Sequence, residues 1–236
     1  MLSFETITYA FIGGLLPALV WLYFLLKEEE RCPQPAWAIF VTFVAGMLSV
    51  PFVLPFEDLA VRTFSGDLSI IIAWATIEET AKYILFGLAA LFFHRLIRNS
   101  IDIVIGMITV ALGFAAVENA LFLLDPLSQG RFLAGLVTNN LRFIGSTLLH
   151  VIASSAIGFA LAFSYRARPS IRAFAAALGL ILAIGLHALF NFFIIREGGS
   201  TTILAFFTVW TGAVVFFAAF EILKYFRYRN LPKNVC

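Results

Sequence analysis

Seven ionisable side chains stand where apolar helices should carry none: Glu78, Glu79 and Lys82, then Glu118, then Arg142 and His150, then His187. Together these types suit the activation of water. A carboxylate takes a proton from water, while an imidazole, ammonium or guanidinium donates to the oxyanion that develops as the water attacks a carbonyl. The same residues admit a metal-assisted variant. Glu118, His150 and His187 would then be a His₂Glu donor set for Zn²⁺, with Glu78 or Glu79 as base. No two of those three donors share a helix, so spacing does not decide between the two chemistries.

Local spacing supports a shared site. Glu78 and Lys82 are i,i+4 and Glu79 and Lys82 are i,i+3, so either carboxylate can pair with the ammonium. Successive residues are about 100° apart on a helix, so Glu78 and Glu79 cannot point the same way. One can pair with Lys82 while the other is free for another task. His187 and Asn191 are i,i+4 and share a face, and Asn119, Asn139 and Asn140 add further polarity. Each piece has a plainer reading: Glu79–Lys82 as a structural ion pair, a lone His as a hydrogen-bonded core residue, Asn191 as a bridge between helices. Three Glu and two His from four helices make a poor packing solution and a good site.

The elements that hold these groups follow from composition. Of 236 residues 61% are hydrophobic and 13% charged, with a mean hydropathy of +0.97. Soluble domains run near a quarter charged, and disordered chains are more polar still. Apolar segments at 4–26, 36–54, 68–93, 101–124, 132–163, 174–195 and 202–223 are each near the roughly 20 residues that cross a bilayer, save the overlong fifth. Lipid cannot satisfy a bare backbone and no alternating ten-residue pattern suggests a barrel, so the segments are helices. The expected architecture is an all-α bundle of about seven transmembrane helices. It forms one integral-membrane domain over residues 1–236, with the polar motifs confined to about 69–195.

Lys and Arg set the expected orientation. Eleven fall in the connections after the first, third and fifth segments and in the C-terminal tail, against Arg62, Arg131 and Arg196 on the other side. The N-terminus is thus expected outside and the C-terminus in the cytoplasm. At 1.5 Å per residue, Glu78 then lies about 14 Å below the outer end of its helix, Glu118 about 9 Å and His187 about 10 Å. His150, on an overlong segment, lies about 18 Å deep if the span starts near Thr138. A charge at the bilayer centre costs about 2.5–3.5 kcal/mol even on a lenient scale, so these groups must face one another or a wet cavity. Cys32 and Cys236 fall on the reducing side and are expected as free thiols. Asp102, following Asn99 and Ser100, is expected to cap a helix.

Absences prune the chemistry. GxSxG and HExxH do not occur, no Asp lies in the middle of a segment to form an aspartyl pair, and the last segment lacks a central Lys for a retinal Schiff base. What is present has an order. Glu78-Glu79-Thr80-Ala81-Lys82 reads EExxK, Phe114 to Asn119 reads FxxxEN, His150 is followed by Gly158, and His187 to Asn191 reads HxxxN. These four blocks resemble the PrsW family of intramembrane proteases, distant relatives of the CAAX-protease and bacteriocin-processing membrane enzymes.

The resemblance implies a polytopic peptidase of the bacterial or archaeal plasma membrane that cleaves membrane-associated proteins. In the best-known members the substrate is an anti-sigma factor, cut on its extracytoplasmic side. Glu78, Glu79, Glu118, His150 and His187 match the positions expected to be catalytic. From their own types and positions, Lys82, Asn119, Arg142 and Asn191 are expected to support them. The family is described both as metallo- and as glutamic-type, so the resemblance leaves Zn²⁺ open. The partners expected are a single-span protein and the bilayer, with no nucleic acid. The competing classes are a proton-coupled transporter, whose buried Glu, Lys and His would relay protons, and a scaffold whose polar cluster only fixes packing. A transporter usually shows repeated halves and matched broken helices, and neither is evident.

Overall fold

The computed structural model describes residues 3–29, 31–195 and 202–229. They form helices α1 (Phe4–Lys27), α2 (Ala36–Thr63), α3 (Asp67–Phe92), α4 (Ser100–Ser128), α5 (Phe132–Leu141), α6 (Thr147–Phe163), α7 (Pro169–Ile195) and α8 (Thr202–Tyr228). A π-helical stretch, Arg142–Ser146, joins α5 to α6. Among the described residues there is no strand. The protein is an all-α, multi-pass membrane bundle.

Among the described residues six helices are long and apolar enough to cross a membrane; the one for the fifth segment is Ile144–Phe163. The segment expected at 68–93 is a helix of 26 residues, α3, but Glu78, Glu79 and Lys82 hold it below the same apolar standard. Its buried residues explain why the charges are tolerated. Ile71, Ala75, Glu78, Lys82, Phe86 and Ala89 recur at helical spacing as one inward stripe, so the ionised groups continue the packing face of the helix. Ile72, Ile84, Leu88 and Leu91 occupy the outward face.

The middle of the bundle is α4. Of its most apolar 18-residue window 89% is buried, far more than in any other candidate span. Small residues make that possible. A Cβ on Gly46 of α2 would overlap the Val110 carbonyl oxygen, and one on Gly113 would overlap that of Phe43. The two backbones therefore touch through reciprocal glycines, as membrane helices do when small residues replace a hydrophobic driving force. The N-terminus of α4 is fixed by a capping box. Asn99 is the N-cap and accepts from the Ile101 and Asp102 amides at 2.8 and 3.3 Å, while Asp102 accepts from the Asn99 amide at 3.1 Å. The cap predicted at Asp102 is therefore shared, with Asn99 in the leading position.

Two expectations change. The second segment runs on to Thr63, well beyond Leu54, because α2 continues through Pro51 and Pro55 instead of ending there. Cys32 is buried and disulfide-bonded, where a free thiol was expected. Redox compartment bears on whether a bridge survives, whereas the chain path decides whether thiols meet. Cys236, the other cysteine of the chain, lies outside the described residues, as do Arg196 and the side chains of Asn139 and Asn140.

Candidate active site

Five parts of the bundle converge on one cluster. The inward stripe of α3 presents Glu78, Glu79 and Lys82; α4 presents Glu118 and Asn119; the π-helical stretch presents Arg142; α6 presents His150 and α7 His187. The two imidazole rings, on different helices, have centroids 5.0 Å apart. Glu79 and Lys82 are fully buried, His150 and His187 are 1% exposed, and only Glu118 and Arg142 reach partly into open space.

The hydrogen bonds divide the two adjacent glutamates cleanly. Both oxygens of Glu79 are occupied. Oε1 accepts from Lys82 Nζ at 2.7 Å and lies 2.8 Å from His187 Nδ1, and Oε2 accepts from Ser154 Oγ at 2.7 Å. Glu78 is the opposite case. Its buried Oε2 has no hydrogen-bond partner, although Lys82 Nζ stands 3.5 Å away and His187 Nε2 3.8 Å away. A buried carboxylate oxygen left open is expensive, so its vacant face is what a reacting or coordinating group would fill.

His150 links the two halves of the cluster. Its Nδ1 lies 2.9 Å from Lys82 Nζ, and an ammonium can only donate, so Nδ1 accepts. Nε2 then carries the proton and donates to Glu118 Oε2 at 2.9 Å. Arg142 Nη2 also donates to Glu118 Oε2, and its Nε donates to Asn119 Oδ1 at 2.6 Å. Asn119 in turn donates to Thr147 Oγ1 at 2.9 Å. Below the cluster, the Phe114 ring lies 4.1 Å from Lys82 Nζ and 5.2 Å from the His150 ring. With the imidazoles counted as neutral, three carboxylates face two permanent cations, a balance mildly favourable to one more cation.

A cavity of about 1010 Å³ reaches this cluster. Glu78, Glu118, His150 and His187 form its floor, and its walls climb one face of each helix. On α2 the lining is Val50, Val53, Leu54 and Glu57; on α4, Glu118, Leu121, Phe122 and Asp125; on α7, His187, Phe190, Asn191 and Ile194. Each set has the i, i+3, i+4, i+7 spacing of a single helix face. The cavity therefore opens toward the side that carries the α2–α3 and α4–α5 turns. It is mostly apolar with a few convergent polar groups, as a binding site for a chain segment should be.

Glu78, His150 and His187 each offer a ligand atom within 4.8 Å of one another, a set able to hold a metal ion. This differs from the donors expected from sequence, in which Glu118 stood in the place of Glu78. The reason is local: Glu118 is engaged by Arg142 and His150, whereas Glu78 Oε2 is open. Asn191 lines the cavity one turn from His187. Sequence reasoning passed over Ser154, Thr147, Glu57 and Trp74. Ser154 had a signal, since it is i,i+4 from His150. Glu57 had none once the second segment was ended at Leu54.

A family model described as "PrsW family intramembrane metalloprotease" matches residues 34–223. The chain belongs to the PrsW family. Among its curated relatives are two proteins named Protease PrsW. One, from Clostridioides difficile (strain 630), is 23% identical over 194 residues, covering 79% of each chain. The other, from Oceanobacillus iheyensis, is 26% identical over 200 residues, covering 84% of this chain and 88% of the relative. No solved structure matches. Membership makes the protein an intramembrane peptidase and sets aside the transporter and scaffold readings. The PrsW match begins before α2 and ends in α8, so it takes in every helix that lines the cavity.

Proposed function

We propose that this PrsW-family peptidase hydrolyses a peptide bond of a membrane-associated, single-span protein lying in the cavity. The observation that carries the proposal is the open Oε2 of Glu78 facing His187 Nε2 on the cavity floor. Glu78, His150 and His187 would hold a divalent cation of the zinc class, with His150 Nε2 giving up on metal binding the proton it otherwise donates to Glu118. The donor types suit it, and the orphaned carboxylate oxygen is the kind of group that such an ion satisfies. The chemistry such an ion supplies when bound is Lewis-acid polarisation of a carbonyl and acidification of water.

The remaining roles follow from who is already bonded. Glu79 fixes His187 by accepting at Nδ1, which leaves Nε2 directed at the floor, the carboxylate–histidine arrangement that orients ligands in metal sites. Lys82 balances the charge of Glu79 and occupies His150 Nδ1, which leaves Nε2 as the nitrogen that would face an ion. Glu118, partly exposed to the cavity and bonded to both Arg142 and His150, is placed to move a proton between water and the departing amine. Arg142 keeps Glu118 oriented. Apolar walls around the floor exclude bulk water and strengthen each of these interactions.

With the orientation expected from Lys and Arg, the cavity mouth would face the outer side of the plasma membrane of a bacterium or archaeon. A regulator cut on its extracytoplasmic side, such as an anti-sigma factor, is a substrate of the right placement. Cleavage of purified single-span substrates, measured before and after chelation, tests the reading. Activity should vanish with chelator and return with Zn²⁺ in the parent protein, but stay absent in His187→Ala. Undiminished cleavage in a fully chelated sample would remove the metal from the account.

A further inference from the structure

We propose that Glu57 and Trp74 form a subsite for a Lys or Arg side chain of the substrate, about two residues from the bond that is cut. The proposal rests on the protease reading above and adds a sequence preference to it.

Glu57 is the one carboxylate of the cavity lining, away from the floor, that makes no hydrogen bond or ion pair with any described residue. Asp125, the other candidate, is engaged by Arg131 at 2.8 Å and by Gln129 at 2.5 Å. Glu57 is half-buried on the cavity face of α2, continuing the stripe of Val50, Val53 and Leu54. An ionised carboxylate among apolar side chains in a membrane is costly, and a partner brought by the substrate would offset that cost.

Trp74 supplies the second half of the subsite. Its indole Nε1 donates to the Glu57 backbone oxygen at 3.3 Å, so the ring lies against the turn of α2 that carries Glu57, and it too lines the cavity. With the indole N–H already used, what Trp74 can offer a guest is its π face. An aromatic face beside a carboxylate is a receptor for an organic cation, and a guanidinium fits it best because it stacks and bonds in one plane.

Register places the subsite. Trp74 is i−4 to Glu78 on α3, one turn or about 6 Å toward the cavity mouth. An extended peptide advances about 3.3 Å per residue, so a side chain seated there belongs to a residue about two positions from the reacting bond. Charge agrees with the choice of a cation. Of the ionisable residues lining the cavity, Glu57, Glu78, Glu118 and Asp125 outnumber Arg131 and Arg142.

The test uses the full-length protein in liposomes and a single-span substrate carrying Arg, Lys, Ala or Glu at each of three positions on either side of its mapped cleavage bond. The ratio of kcat/KM for the Arg and Glu substrates is read within each enzyme, so a general loss of activity cancels. In the parent protein Arg should be favoured by at least about tenfold at one position, mainly through KM. Glu57→Gln should bring that ratio near one, Glu57→Lys should invert it, and Trp74→Leu should lower it more for Arg than for Lys. An unchanged ratio in Glu57→Gln would overturn the subsite while leaving the protease reading intact. Failure of the parent protein to cleave any of these substrates would overturn the reading beneath it.

Discussion

Replacing Lys82 by Met asks whether the buried ions are a matched set. The ammonium is fully buried, 2.7 Å from Glu79 Oε1, 2.9 Å from His150 Nδ1 and 3.5 Å from Glu78 Oε2. Met fills a similar volume and keeps contact with the Phe114 ring, so lost packing is small. What remains is Glu79, fully buried with its main counter-charge gone. Removing one member of a buried pair costs about 3–5 kcal/mol. Because Ser154 and His187 still bond to Glu79, the lower end, about 3 kcal/mol, is expected. Combining Lys82→Met with Glu79→Gln removes the stranded charge, and at least about 2 kcal/mol should return, since neutral groups of similar shape replace a buried pair at little cost. Activity should not return, because His187 Nδ1 has lost its carboxylate. SDS titration in mixed micelles, beside a cleavage assay, reads both quantities. A Lys82→Met loss under about 1 kcal/mol, or strictly additive single and double variants, would refute the idea of a coupled ion set.

Three further outcomes are expected. Glu78→Ala should lower bound zinc by at least about tenfold in metal analysis of purified protein, whereas Glu118→Ala should retain it and lose turnover; the reverse pattern would restore Glu118 as the ligand. Arg142→Met should cut kcat about 10- to 100-fold with little loss of stability, because Glu118 is partly exposed to the cavity; melting in detergent and steady-state rates separate the two. Gly113→Leu should destabilise the protein by at least about 1–3 kcal/mol, since a side chain there meets the Phe43 backbone, and a thermal unfolding scan unchanged from the parent would contradict the close α2–α4 approach.

How much of this was legible in the sequence differs by level. Helical spans were plain, because a membrane admits few backbone solutions and apolar run length reads out directly. The convergence of Glu78, Glu79, Glu118, His150 and His187 was also readable, since burial cost forces charges in neighbouring spans toward one another. Which oxygen is free was not. Glu78 and Glu79 are adjacent and chemically equal in sequence, and only the positions of Ser154 and His187 separate a saturated carboxylate from an open one. That same detail moved the metal set from Glu118 to Glu78. Glu57 was lost for a backbone reason: proline removes one helical hydrogen bond, and in α2 the chain tolerates that loss twice and carries its face on into the cavity wall. The overlong fifth segment hid a π-helical stretch whose register delivers Arg142 to Glu118.

The central claim is that the cluster on the cavity floor is where a peptide bond is hydrolysed, with Glu78 as its open carboxylate. Its most direct test is cleavage of a single-span substrate by purified parent protein and by Glu78→Gln in the same liposomes, with the folded state of both checked by melting. The variant keeps the shape of the side chain and loses only its charge, so the account predicts an unchanged or higher melting temperature and a fall in rate of at least about 100-fold. A Glu78→Gln protein that cleaves at near the parent rate would contradict it.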